Sequence, residues 1–293
     1  MSIKGHTSGA AHVLCLGMSC LDNRLFVDRF PPEHRRERVP KRFDALGGPA
    51  GVGAVTVVRL GGKASFFGLR GDDASGRQTS TFLEEDGVDT RGFRSFPDAI
   101  STRCEVFIRP DGERFLFPSW GTGMPLKADW LPDTTADNAQ ALLIDGRWVE
   151  GSLRLVEQAR RRKLPILLDF DIDKPEIWEL AKLSTHVIAD EDMAIAHGGI
   201  EGLIDKLESI GVWGAVTLGA QGVAHLGGRV PAFSVPVLDS TGAGDVLHGA
   251  FVLAIAQGYD ELTALRFGVA AGSLRCKLGR VPYLPEVEDL LSA

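Results

Sequence analysis

Short apolar segments alternate with helical segments along most of this chain. Strands are predicted at 13–17, 64–68, 141–145, 165–169, 186–189 and 215–218. The helices predicted between and after them cover 51–60, 76–86, 151–162, 174–183, 245–257 and 261–276. Strands that are apolar throughout are typical of a parallel sheet covered on both faces. The alternation therefore predicts an α/β fold in three layers, α/β/α, around a mainly parallel sheet.

Two segments, about 24–46 and 102–118, break this alternation. The second reads as two strands, 103–108 and 113–117, joined by the turn Arg109-Pro110-Asp111-Gly112. We expect these segments to form a small β-sheet that projects from the main domain. An exposed apolar face on such a sheet favours pairing with a second copy, so we predict a homodimer through this sheet.

Size and charge narrow the class of protein. The 293 residues predict a single domain over 12–285 with a loose N-terminal tail at 1–11. No apolar run is long enough for a membrane helix, and the four cysteines lack metal or disulfide spacing, so we expect a reduced, cytoplasmic protein that binds no membrane. The net charge of −7, without a long basic stripe, argues against nucleic acid as a partner.

The stretch Asp239-Ser240-Thr241-Gly242-Ala243-Gly244-Asp245 is a glycine-rich turn that opens onto an apolar helix. Free backbone N–H groups at a helix N-terminus bind anions, most often phosphate. Asp245, in the first helical turn, would repel that anion unless it has another task. Accepting a proton from a hydroxyl that attacks the phosphoryl group is such a task. We therefore predict Asp245 as a general base, with the N–H groups of Gly242, Ala243 and Gly244 as an anion hole.

The chain resembles the phosphofructokinase-B (ribokinase-type) sugar kinase family in three blocks. Residues 239–245 are similar to the family signature D-T-x-G-A-G-D. Residues 47–54 with 59–62 resemble G-G-x-x-x-N-x-A…R-L-G, and residues 68–76 resemble G-x-x-G-x-D-x-x-G. The blocks stand in the family's order, and the resemblance covers about 12–285. It implies a ribokinase-like fold, a β-sheet lid over the sugar, and ATP and Mg²⁺ as cofactors.

The resemblance also implies positions for the sugar. The family places a sugar-binding Asp where this chain has Asp22, which follows the first strand. Gly47 and Gly48 would let the backbone approach the sugar closely. Arg147, after the strand at 141–145, is suited to an anionic substrate group, although a surface Arg packed on Trp148 is the structural alternative.

For ATP, the resemblance points to residues around the strand at 215–218 and the last helix. The predicted cofactor-binding residues are Thr217, Gly219, Gly222 and Lys277. The family's magnesium motif N-x-x-E corresponds to Ala189-Asp190-Glu191-Asp192, so its Asn and Glu are absent here. Acidic character remains, and we predict Asp190 and Asp192 as metal residues because one or two carboxylates with ATP oxygens can organise hydrated Mg²⁺.

Departures from the family pattern bear on the substrate. Val52 replaces the sugar-binding Asn, which argues against a plain ribokinase or adenosine kinase. Residues 145–148, 168–171 and 248–250 look like the sulfofructose kinase branch, in which an Arg at the position of Arg147 grips a sulfonate. We therefore expect an ATP-dependent kinase for a ketose or an acidic, sulfofructose-like ketose. A nucleoside kinase and a catalytically silent sugar or nucleotide sensor stay open as alternatives.

Overall fold

The computed structural model describes residues 10–293, and the following bounds refer to this part of the chain. The strands are β1 (His12–Leu16), β2 (Cys20–Phe26), β3 (Lys41–Gly47), β4 (Lys63–Gly71), β5 (Asp89–Phe96), β6 (Arg103–Ile108), β7 (Arg114–Ser119), β8 (Ala141–Ile144), β9 (Ile166–Phe170), β10 (His186–Ala189), β11 (Trp213–Thr217), β12 (Val223–His225) and β13 (Gly228–Val230). The helices are α1 (Pro49–Arg59), α2 (Ala74–Glu85), α3 (Val149–Arg161), α4 (Pro175–Leu183), α5 (Glu191–Ala196), α6 (Gly199–Ser209), α7 (Ala243–Ala256), α8 (Glu261–Leu278) and α9 (Leu284–Ser292).

A nine-stranded sheet in the order β13-β12-β11-β10-β9-β8-β1-β4-β5 forms the middle layer. Its strands pair in parallel from β11 to β5, and β12 and β13 add an antiparallel edge. Alternate side chains of β1 point to opposite faces: Val13 and Cys15 join the core with α1, α7 and α8, whereas Leu14 and Leu16 join the core with α3, α4 and α6. Both faces are therefore covered, as the apolar strands predicted.

The second sheet, in the order β3-β2-β6-β7, is the predicted small β-sheet, which we call the lid sheet. Its strands extend past the predicted segments, because β2 begins at Cys20 and β3 ends at Gly47. Aromatic side chains cluster on it, with the rings of Phe30 and Phe107 stacked at 4.9 Å. The lid sheet thus carries its own small apolar layer, separate from the main core.

Several elements were not expected from the sequence. β5, an edge strand, has no continuous apolar run to mark it. The short elements α5, β12 and β13 and the helices α6 and α9 were also not predicted. The tail predicted for 1–11 falls almost wholly on residues 1–9, outside the described residues, whereas Ala11 is buried in the core. Among residues 10–293 no helix combines the length and the apolar character that crossing a membrane requires.

Candidate functional site

Helix α7 brings the turn at 239–245 to the middle of the sheet. Gly242 has φ of 75° and caps the helix, and this left-handed conformation suits glycine because it has no Cβ. The helix that follows packs against β1, β8 and β9. Asp245 lies in its first turn, where a carboxyl oxygen lies within 4.8 Å of ligand atoms of Asp169 and His248. The predicted base therefore faces the carboxyl end of β9.

The backbone donors of this turn are mostly open. Among residues 10–293, the N–H groups of Gly242, Gly244 and Asp245 donate to no protein acceptor, whereas Ala243 donates to Ser240 O at 3.3 Å. Of the predicted anion-hole residues, Gly242 and Gly244 thus offer free donors and Ala243 has a partner. A group of free N–H donors at the positive end of a helix is a site for phosphate oxygens.

The Asp245 carboxyl is poised to exchange a proton near neutral pH. Burial raises its pKa to about 7, and the nearby Asp169 carboxylate adds to this effect, whereas His248 and Arg147 oppose it. A base whose pKa lies near the working pH combines a useful ionised fraction with a real affinity for protons. This is the property that removal of a hydroxyl proton requires.

Asp169 and His248 form a buried pair beside Asp245. His248 Nδ1 lies 3.2 Å from Asp169 Oδ2, and both side chains are almost fully buried. Burial alone would lower the pKa of His248, but the carboxylates of Asp169, Asp245 and Asp171 together outweigh it and raise that pKa. The Asp169 carboxylate therefore makes the neighbouring ring easier to protonate, and the two side chains attract each other. In the sequence these two residues stood only within the segments 168–171 and 248–250 that resemble the sulfofructose kinase branch, and neither was given a role. The i, i+3 spacing of Asp245 and His248 on one helix face was the available signal.

Two buried arginines hold the start of the turn. Arg24 of the lid sheet donates from Nη1 to Asp239 Oδ2 at 2.8 Å, and Arg275 of α8 donates from Nη2 to the same oxygen at 3.0 Å. Burial of Asp239 opposes its ionisation, but the charges of Arg275 and Arg24 keep its pKa below the ordinary value. The turn is thereby tied both to the main domain and to the lid sheet.

Asp22 lies within strand β2 of the lid sheet, not in a loop after the first strand. Its side chain is buried, accepts a hydrogen bond from the Cys20 thiol at 3.4 Å, and pairs with Arg24 at 3.5 Å. Gly47 packs against it so closely that a Cβ would meet Asp22 Oδ1 at 2.1 Å. A Cβ on Gly48, with φ of 88°, would meet Met18 O at 2.7 Å. Gly47 therefore leaves room for the Asp22 side chain within the lid sheet, and Gly48 lets the end of β3 approach the loop after β1.

Arg147 lines a cleft of about 850 Å³ beside these elements. It donates from Nη2 to Asp171 at 2.5 Å and from Nη1 to the Asp145 carbonyl at 3.0 Å. Burial opposes its charge, yet Asp145 and Asp171 keep its pKa above the ordinary value. The guanidinium is therefore charged and already partnered by a carboxylate. Trp148, the alternative partner considered from sequence, is buried and also lines the cleft.

The residues predicted for ATP lie around the end of β11 and at the end of α8. Thr217 donates to Ala189 O at 3.3 Å, Gly219 opens a short 3₁₀ turn, and Lys277 is exposed in the last turn of α8. Gly222 has a packing reason of its own, because a Cβ there would meet Val230 O at 2.0 Å. The structure brings Thr217, Gly219 and Gly222 together, and Lys277 comes from a different element.

The predicted metal residues lie at the start of α5, after β10. Asp190 caps this helix by accepting from Met193 N at 2.9 Å, and Asp192 is exposed in its first turn. Burial raises the pKa of Asp190, and the charges of Asp171, Asp192 and Asp169 raise it further. Clustered carboxylates that repel one another fit a hydrated Mg²⁺, which relieves that repulsion.

Comparison with known proteins shows the family to which the chain belongs. Residues 10–280 match the model of the pfkB family carbohydrate kinases. The chain is 32% identical to Fructokinase-1 of Oryza sativa subsp. japonica over 288 residues, which cover 83% of this chain and 86% of that protein.

Solved structures show the same fold. A protein of Agrobacterium tumefaciens assigned as a ribokinase has a TM-score of 0.88 and 29% identity, over 97% of this chain and 98% of that one. A fructokinase of Xylella fastidiosa, solved with bound ATP, has a TM-score of 0.80 and 22% identity, over 96% of this chain and 98% of the other. The ribokinase-like fold expected from the motifs is thereby confirmed, and the chain belongs to the pfkB family of carbohydrate kinases.

Proposed function

We propose that this protein is an ATP-dependent sugar kinase that transfers the γ-phosphoryl group to a hydroxyl of a ketose. One observation carries the proposal: Asp245, whose pKa burial raises to about 7, lies at a helix N-terminus with free N–H donors. A base and an anion hole next to each other serve the two needs of phosphoryl transfer to an alcohol. The fructokinase relatives support the ketose as acceptor.

In this mechanism Asp245 accepts the proton of the sugar hydroxyl as its oxygen attacks the γ-phosphorus. The N–H groups of Gly242 and Gly244 hold the phosphoryl oxygens, whose negative charge they and the α7 dipole stabilise. The bond from the γ-phosphorus to the bridging oxygen of ADP breaks, and ADP leaves. Positioning and electrostatics supply most of the rate in such transfers.

The sugar would lie between the lid sheet and the carboxyl ends of β1 and β8. Asp22 would accept hydrogen bonds from sugar hydroxyls, next to Gly47 and Gly48. Val52, which replaces the family's Asn, is buried and lies 3.9 Å from the place of a Cβ on Gly242. The side chain at this position thus offers the sugar an apolar contact and no hydrogen bond.

Two kinds of ketose fit the cleft near Arg147. A neutral ketose of the fructose type fits because Asp171 already balances the charge of Arg147. A sulfonated or otherwise acidic ketose fits if its anion displaces Asp171 from the guanidinium, since Arg binds such groups in a bidentate manner. The neutral ketose is our first candidate because its binding leaves this ion pair intact.

ATP would lie along Thr217, Gly219 and Gly222, with Lys277 near its base or ribose. Mg²⁺, which neutralises phosphate charge when bound with ATP, would be held by Asp190 and Asp192. Asp171 is less suited to this role because Arg147 pairs with it.

We further propose a cytoplasmic homodimer. Phe43 and Leu116, which the strand register places on one face of the lid sheet, are exposed apolar side chains and offer a surface for a second copy of this chain. Light scattering of the purified protein at micromolar concentration would report twice the mass of one chain, and a monomer would contradict the dimer.

A coupled assay for ADP release tests the proposed activity. Purified protein with ATP and Mg²⁺ would be assayed against ketoses, aldoses, sugar acids, sulfonated sugars and nucleosides. We expect ADP release with a ketose, together with a phosphorylated product detected by mass spectrometry. Binding of sugar and ATP without ADP release would favour the silent sensor, and turnover with nucleosides alone would favour the nucleoside kinase.

A further inference from the structure

The buried pair of Asp169 and His248 has no task in the mechanism above, although it lies against the base. Ligand atoms of Asp169, Asp245 and His248 lie within 4.8 Å of one another. We propose that this pair is a positioning element: the His248 imidazolium holds a positive charge beside Asp245, and Asp169 keeps that imidazolium in place. The proposal rests on the proposed function in one respect, the role of Asp245 as the base.

The surroundings of His248 favour a charged ring over a neutral one. Among residues 10–293, neither ring nitrogen makes a well-aligned hydrogen bond, although the side chain is only 7% exposed. A buried polar ring without hydrogen bonds is costly unless a charge interaction offsets the loss of water. The Asp169 carboxylate at 3.2 Å from Nδ1 supplies that interaction.

Among the charged groups around Asp245, Asp169 and His248 have the strongest influence on the ionisation of Asp245. The titratable groups that face it from neighbouring elements are Asp169 and Asp171 at the end of β9, Arg147 after β8, His248 on α7 and Cys20 of the lid sheet. Arg275 of α8 reaches the same turn but pairs with Asp239. Since Arg147 is matched by Asp171, His248 is the cation that offsets Asp169 at the base.

The two members of the pair should not be equivalent when each is removed. Without His248, the Asp169 carboxylate would stay buried beside Asp245 and oppose its ionisation. Without Asp169, the buried imidazole would lose its proton. Both charges would then be absent, and the loss of their opposite effects on the ionisation of Asp245 would nearly cancel. A merely structural pair would show no such asymmetry.

The pH dependence of kcat/KM tests this asymmetry, with the best sugar of the panel as substrate. We expect His248→Gln to move the acid limb upward by about 1 pH unit, and Asp169→Asn and the double variant to move it by less than about 0.5. An unmoved limb in His248→Gln would overturn the proposal. So would an equal upward shift in Asp169→Asn.

Nitrogen NMR of the histidine side chains gives a second readout that does not depend on activity. In the wild-type protein at pH 7.5, we expect the imidazole of His248 to be protonated at both nitrogens. In Asp169→Asn, we expect this ring to be neutral. A neutral His248 in the wild-type protein would overturn the pair even if His248→Gln failed to fold. Full turnover by Asp245→Asn would instead overturn the proposed function and leave the NMR result standing.

Discussion

Arg24 Nη1 lies 2.8 Å from Asp239 Oδ2, so a strand of the lid sheet is bonded directly to the first residue of the glycine-rich turn at 239–245. Arg24 also reaches Asp22 at 3.5 Å, and all three side chains are nearly buried. Asp22, the proposed sugar-binding residue, and the turn with the proposed anion hole are therefore joined through one guanidinium. This ion pair ties the lid sheet to the turn before α7.

Removal of that guanidinium should destabilise the protein. Arg24→Met leaves the buried carboxylates of Asp22 and Asp239 short of a partner, which costs about 3–5 kcal/mol when one member of a buried ion pair is removed. Urea unfolding monitored by circular dichroism measures this loss. Arg103→Met, on β6, is the matched control, because Arg103 is half exposed and its Nη2 lies as far as 3.7 Å from Glu105 Oε1. The free energy of unfolding of this variant should stay within about 0.5 kcal/mol of the wild-type value. Equal stability of the two variants would contradict a stabilising role for the Arg24 guanidinium.

Arg147→Ala separates the two candidate ketoses. If the substrate carries an anion, loss of a charged hydrogen bond should raise KM for the acidic sugar by about 10-fold or more and leave KM for the neutral sugar near the wild-type value. Steady-state kinetics with fructose and its sulfonated analogue measures both. Arg154→Ala on α3, which removes an exposed pair with Asp133, is the control. Equal changes for both sugars would reject anion recognition by Arg147.

Activity should fall on the acid side of neutrality. Burial raises the pKa of Asp245 from 3.8 to about 7, so the carboxyl is increasingly protonated as the pH falls below 7. Only the ionised form can accept a proton, and kcat/KM should therefore decline about 10-fold per pH unit below that limb. A buffer series from pH 5 to pH 9 measures the profile. A flat profile down to pH 5 would show that Asp245 does not titrate as the base.

The same pKa shift makes a prediction about stability. Since the folded protein binds the Asp245 proton more tightly than the unfolded chain does, this group favours folding less as the pH rises from about 4 to 7. Asp245→Asn is neutral at all pH values, so it should raise Tm relative to the wild type at pH 8 and much less at pH 5. Calorimetry at both pH values measures the difference. The same Tm increment at both pH values would contradict a carboxyl group whose charged form is disfavoured in the folded protein.

The main layers could be predicted because their chemistry is local. Every apolar strand expected in the main sheet is present, since each is a short run that is buried on both faces. The turn at Gly242 could also be predicted, because a run of small residues directly before an apolar helix is typical of a tight turn at the helix N-terminus.

The parts that were missed depend on contacts between distant segments. The lid segment was predicted from about residue 24, whereas β2 begins at Cys20, because the charged Asp22 and Arg24 are among its buried side chains and hide the usual apolar alternation. The pairing of Asp169 with His248 joins a strand end to a helix and exists only once the sheet is assembled. A sequence pattern carries no record of such a pair.

The turnover number of Asp245→Asn is the sharpest test of the proposed role of this carboxylate. This change keeps the shape of the side chain and removes its ability to take a proton, so kcat should fall at least ~10²-fold while the circular dichroism spectrum stays unchanged. Glu201→Gln, an exposed acidic residue in the first turn of α6, should keep wild-type turnover. Wild-type turnover by Asp245→Asn would contradict the claim that this carboxylate deprotonates the sugar.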